Sequence, residues 1–144
     1  MKNAIRIATT LAALPLSLNL PAEASGAGPQ VRIAPGVLVG VETGDTVAFK
    51  NIPYAPPPVG ELRWRAPQPV KPWAGVRAAD KVGAVCQQKY NAKDNGVGPL
   101  PVSEDCLTLN VFAPAKARKA PVMVWIHGGG FGNGSGTAAL YDGA

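Results

Sequence analysis

From Val31 to Phe49, apolar and polar residues alternate with the two-residue period of a strand. In "GVLVGVETGDTVAF", Val37, Val39 and Val41 fall on one face, and Val47 and Phe49 share one after the break. Thr43, Gly44 and Asp45 supply turn chemistry between them, so this stretch predicts a β-hairpin with one wet face. "CLTLNVFAP", Cys106 to Pro114, places Leu107, Leu109 and Val111 at alternate positions and predicts a second strand region. "PVMVWI", Pro121 to Ile126, is apolar throughout, the pattern of a strand buried on both faces of a mainly parallel sheet.

Between these regions the pattern changes. Asn51 to Trp73 carries seven prolines in 23 residues, each unable to donate to a ladder and excluded from helix interiors. Such a composition can signal disorder. Tyr54, Leu62, Trp64 and Trp73 argue against that, because large side chains gain from burial. The expectation is an ordered, meandering coat over a larger body. Lys89 to Ser103 reads as a polar loop, and "AKARKA" after Pro114 as a surface turn. No strong amphipathic helix and no internal repeat is evident.

Composition alters this picture in three places. The length of 144 residues and 47% hydrophobic content suit one globular domain, and Gly 17 with Pro 15 predicts many turns. The formal net charge is +5, but the basic residues are scattered. A solvated basic surface is therefore expected, with no nucleic-acid partner. At the N-terminus, Lys2 and Arg6 precede an apolar stretch from Ile7 to Leu20, followed by small residues at Ala22 and Ala24. That is a secretory signal over residues 1–24, cleaved after Ala24, leaving Ser25 as the first residue of an exported chain. The stretch holds Pro15 and Asn19 and is too short to span a bilayer, so no membrane role beyond export is expected. In an oxidising compartment the even pair Cys86 and Cys106 reads as one disulfide. One histidine with two cysteines is a poor metal set, so neither metal nor cofactor is expected.

The candidate chemistry lies where the apolar run ends. "VWIHGGGFGNGSG", Val124 to Gly136, puts the sole histidine and then a bare backbone at the tip of the predicted buried strand. The carboxyl end of such a strand is where open α/β sheets bind ligands. Glycine reaches positive φ and lets a ligand approach the main chain. Adjacent N–H groups there can hold an oxyanion, each donor supplying about 3–4 kcal/mol to a tetrahedral transition state. Phosphate binding competes poorly: no lysine stands where a P-loop needs one, and no helix pattern follows for a dinucleotide site. A plain glycine turn is the remaining alternative. HGGG-type segments also form the oxyanion loop of lipases and esterases.

Three segments together make the reading specific. "SEDCLTLNVFAP" followed by "PVMVWIHGGGF" resembles the type-B carboxylesterase family, which includes the cholinesterases. "KNIPYAPPPVGELRWRAPQPVKPWAG" is similar to that family's N-terminal segment, and the likeness covers Val31 to Gly143. The resemblance implies the N-terminal part of an α/β-hydrolase, a small antiparallel sheet plus the first strands of the central sheet, spanning residues 25–144. It implies a serine hydrolase that acts on a small-molecule carboxylic ester through an acyl-enzyme. Gly129 and Gly130 would donate two oxyanion N–H groups. Cys86 and Cys106 fall on the family's first disulfide, and Arg63 and Glu104 on a buried arginine–glutamate pair.

The triad itself is not found. The family nucleophile sits in GxSxG. Ser135 has Asn133 two places before it and fails the pattern, and no other serine fits. His127 is the motif histidine, expected to brace the loop rather than to act as base. The chain thus resembles roughly the first quarter of an enzyme, truncated before the nucleophile elbow and inactive alone. The segment between the cysteines has no tryptophan, so the aromatic platform that binds choline is missing and a general carboxylesterase is favoured. The rival readings are a non-catalytic adhesion-type relative and a defunct gene fragment.

Overall fold

The computed structural model describes residues 28–89 and 101–143. The expected export signal and most of the expected polar loop lie outside the described residues. The strands are β1 (Gln30–Ile33), β2 (Gly36–Val39), β3 (Val41–Thr43), β4 (Thr46–Pro53), β5 (Val76–Ala78) and β6 (Thr108–Pro114). They form two three-stranded sheets among the described residues, ordered β1-β2-β5 and β3-β4-β6.

The second sheet grows from the predicted turn. β3 and β4 pair antiparallel with Thr43 opposite Thr46, leaving Gly44 and Asp45 as a two-residue loop. Gly44 sits at φ 58°, the left-handed geometry that such tight hairpins demand. β6 then pairs antiparallel with β4, from Thr46 opposite Pro114 to Pro53 opposite Thr108. The register slips between Phe49 and Ile52. Asn51 takes up the irregularity at φ 60°, and its N–H donates to Oδ1 of Asn110 at 2.9 Å. A bulge of this kind turns the strand without leaving that donor unpaired.

The first sheet corrects the hairpin expectation. β2 pairs antiparallel with β1 and parallel with β5, so Val37 and Val39 belong to a different sheet from Val41. The shared face ends at Gly40, whose N–H turns to the carbonyl of Pro29 at 2.9 Å. Because β2 is the middle strand and is covered on both faces, consecutive residues Leu38 and Val39 are both buried. The two sheets are joined at Ala79, whose N–H donates to Val39 O at 2.7 Å and whose carbonyl accepts from Lys50 N–H at 2.8 Å. Leu38, Ile52 and Ala79 form the buried core, with Ile33, Phe49 and Trp73 packed against it. Full burial of a leucine side chain contributes about 1.5–3 kcal/mol, so Leu38 is a principal anchor.

The proline-rich segment is only partly a coat. Trp73 does return to the first sheet: its indole N–H donates to Val37 O at 3.1 Å, and the Arg77 guanidinium stands 5.5 Å from its ring centroid. Trp64 does not, being 95% exposed at φ 60°. Trp64 finds no apolar surface to cover among the described residues. β6 forms within the expected stretch, and its alternating apolar face is left uncovered. Leu109 and Val111 are exposed, while Asn110 and Phe112 on the opposite face are half-buried.

Pro121 to Ile126 shows the largest departure. The segment is in no strand, and Val122, Met123, Val124, Trp125 and Ile126 are all exposed. A continuous apolar run becomes a buried strand only with hydrogen-bonded neighbours on its edges and layers on its faces. None of the described strands pairs with it. The helical elements among the described residues are two one-turn 3₁₀ helices, Gly60–Leu62 and Ala139–Tyr141, neither long and apolar enough to cross a membrane.

Candidate functional site

The glycine loop turns back on itself immediately after His127. The carbonyl of Gly129 accepts from Gly132 N–H at 3.0 Å and from Asn133 N–H at 3.2 Å. Three successive residues take positive φ: Gly129 at 127°, Gly130 at 58° and Phe131 at 61°. At Gly129 this geometry excludes any side chain, because a Cβ there would lie 1.9 Å from the carbonyl oxygen of Asn133. Gly129 and Gly130 are exposed, and their N–H groups donate to no acceptor among the described residues. Two neighbouring donors on an exposed, bare backbone are therefore left unengaged among the described residues, an arrangement suited to an anion or a developing oxyanion.

Several groups hold this turn. His127 donates from Nδ1 to the carbonyl of Gly128 at 2.8 Å. The imidazole also lies against Gly134, where a Cβ would meet Nδ1 at 2.6 Å and Gly128 O at 2.4 Å. Asn110 of β6 donates from Nδ2 to Gly136 O at 3.2 Å, which ties the end of the loop to the second sheet. Trp125 and Tyr141 pack with ring centroids 5.5 Å apart, bringing the residues before and after the loop together.

Ser135 is 7% exposed, and its hydroxyl is engaged with Thr137 Oγ1 at 2.6 Å while accepting from Thr137 N–H at 3.1 Å. It works as a turn cap and is not displayed as a nucleophile. Cys86 and Cys106 are joined by a disulfide, with Cα atoms 5.1 Å apart. The bond is flanked by a parallel bridge in which Val85 N–H donates to Pro101 O at 2.8 Å and Ser103 N–H to Val85 O at 2.9 Å. Arg63 and Glu104 form an ion pair, but their side chains are 48% and 37% exposed, so the buried pair implied by the resemblance is a half-exposed one here.

Gln88 was missed by sequence reasoning. Its carboxamide accepts from Gly134 N–H at 2.8 Å and donates to Gly134 O at 2.8 Å. A glutamine two places after a cysteine in polar surroundings carries no signal of such a contact. Among the described residues no cluster of three histidine, cysteine or acidic side chains is gathered as a metal site.

The sequence profile of the carboxylesterase family matches residues 27–144, which takes in both sheets, the disulfide and the glycine loop. The chain belongs to the carboxylesterase family. Its carboxylesterase relatives include the fumonisin B1 esterase of Sphingopyxis macrogoltabida, 44% identical over 111 residues, covering 76% of this chain and 20% of that protein. The para-nitrobenzyl esterase of Bacillus subtilis is 48% identical over 98 residues, covering 67% of this chain and 20% of the relative. A solved structure of a PNB esterase superposes with a TM-score of 0.75 at 44% identity, over 80% of this chain and 24% of that one. The chain thus spans about a fifth of the length of these carboxylesterases. The two sheets correspond to part of an α/β-hydrolase, in keeping with the fold implied by the sequence resemblance.

Proposed function

We propose that the protein carrying this chain hydrolyses small carboxylic esters, and that Gly129 and Gly130 donate their N–H groups to the oxyanion of the tetrahedral intermediate. The observation that carries this reading is the pair of neighbouring, unengaged donors on an exposed backbone where Gly129 tolerates no Cβ. Such donors lower the barrier because they bind the charge that develops on the carbonyl oxygen more tightly than they bind the neutral ester. They act only when a nucleophile attacks. A serine activated by a histidine and a carboxylate would form an acyl-enzyme and then release it to water. The 144 residues contain no GxSxG serine, so by themselves they are inactive in this proposal. Relatives named for esterase activity at 44–48% identity support the ester class. Residues 1–24 serve as an export signal in the same reading, removed after Ala24.

The test is hydrolysis of p-nitrophenyl butyrate by protein expressed from its full reading frame, beside the 144-residue chain. Turnover blocked by a serine-directed organophosphate is expected for the first and none for the second. An inactive full-length protein, or an active 144-residue chain, would refute the proposal. N-terminal sequencing of the exported product should begin at Ser25.

A further inference from the structure

We infer that Gln88 is a positioning residue that sets the direction of the Gly129 donor through the peptide between Asn133 and Gly134. The inference rests on the oxyanion reading above for its catalytic consequence, while its structural content stands on the contacts alone. The N–H of that peptide belongs to Gly134 and is held by Gln88 Oε1 at 2.8 Å. Its carbonyl belongs to Asn133 and is the atom that crowds Gly129, the one a Cβ would approach to 1.9 Å. A peptide is planar, so fixing one edge fixes the other. Gln88 grips one edge and Gly129 rests against the opposite edge. Asn133 adds a further tie through its own N–H, which donates to Gly129 O at 3.2 Å.

The grip itself is anchored. Gln88 Nε2 donates to Gly134 O at 2.8 Å and also to Cys86 O at 3.2 Å. Cys86 is fixed to Cys106 by the disulfide, and its neighbour Val85 is bridged to Val102. From Cys106 the chain runs directly into β6, a strand of the second sheet. The disulfide segment therefore carries a side chain that reaches 46 residues along the sequence to the glycine loop. The His127 ring and the Gly128 carbonyl also crowd Gly134, where they leave no room for a Cβ. A primary carboxamide offers an acceptor and a donor in one plane, independent of pH, to match a backbone N–H and C=O, which gives the glutamine its chemical reason. Asparagine is one methylene too short for the same span.

The experiment uses protein expressed from the full reading frame, with Gln88→Ala, Gln88→Asn and Gln88→Glu. Amide hydrogen exchange at single-residue resolution reads the clamp. In the wild type, the Gly134 amide should exchange at least about tenfold more slowly than the unengaged Gly130 amide. That protection should vanish in Gln88→Ala and Gln88→Asn and persist in part in Gln88→Glu, which keeps the acceptor and loses the donor. Kinetics per titrated active site read the catalytic consequence. For Gln88→Ala, kcat should fall about tenfold with KM within about twofold, a split that partial unfolding does not produce once sites are titrated. Equal exchange at Gly134 and Gly130 in the wild type overturns the clamp without any variant having to fold. Unchanged kcat per active site in Gln88→Ala, with Gly134 protection lost, overturns the positioning role. An inactive wild type refutes the ester-hydrolase proposal instead, and the exchange measurement then decides the clamp alone.

Discussion

Replacing Gly129 with alanine is the sharpest perturbation of the proposed oxyanion site. The new Cβ would lie 1.9 Å from the Asn133 carbonyl oxygen and 2.7 Å from both the Asn133 carbonyl carbon and Oδ1. Ordinary contact requires a retreat of about 1.5 Å, and the first obstacle is backbone rather than the flexible end of a side chain. Alanine also resists φ near 127°, at a cost of about 1–3 kcal/mol. The loop relieves both by moving Gly129, and a donor displaced by about 1 Å loses most of its hold on a transition-state charge. Loss of one oxyanion donor lowers kcat by about 10²–10³. In protein expressed from the full reading frame and assayed with p-nitrophenyl butyrate, the proposed activity of Gly129→Ala should therefore fall at least about a hundredfold in kcat, with KM changed less than about threefold, because the donor acts mainly in the transition state. Gly130→Ala is the internal comparison. A Cβ there meets nothing within 4 Å, and Phe131 beside it already adopts φ 61°. Its loss should be about tenfold or less. Turnover of a folded Gly129→Ala variant within about threefold of wild type, or equal losses at the two positions, would refute the geometric argument.

Three further outcomes follow from the same geometry. Replacing Cys86 and Cys106 by serine opens a closed loop of sequence separation 20 and should lower stability by about 3 kcal/mol in a denaturant melt, with an effect under about 1 kcal/mol counting against the cross-link as a principal constraint. Glu104→Gln should cost less than about 1 kcal/mol in the described fold, because both side chains of the pair are partly in water; a cost above about 3 kcal/mol would show that other parts of the protein bury it. Val124→Lys should raise the concentration at which the 144-residue chain stays monomeric by light scattering, since it interrupts an exposed apolar run, and no change would show that the run is covered in solution.

Local chemistry was enough to foresee some features. The turn at Gly44 and Asp45 was legible because its position in a two-residue hairpin requires a left-handed residue, and glycine supplies one at no steric cost. The strand from Thr108 to Pro114 was legible from its period, and the glycine loop from its run of residues without Cβ. Cys86 and Cys106 could be paired because no other cysteine competes. What period and composition could not say was which face meets which partner. Val37, Val39 and Val41 alternate as if on one sheet, yet the chain changes sheets at Gly40, and only the hydrogen bonds of Pro29, Val39 and Ala79 decide that. The period of Leu109 and Val111 marks a strand, yet both are exposed, because burial depends on a neighbouring layer and not on the strand's own pattern. The apolar run from Pro121 to Ile126 shows the same limit, since hydrophobicity states a demand for partners and tertiary structure determines whether they are present. Gln88 was invisible for a further reason. A hydrogen bond across 46 residues depends on where a disulfide and a bridge place one carboxamide, and no local rule carries that distance.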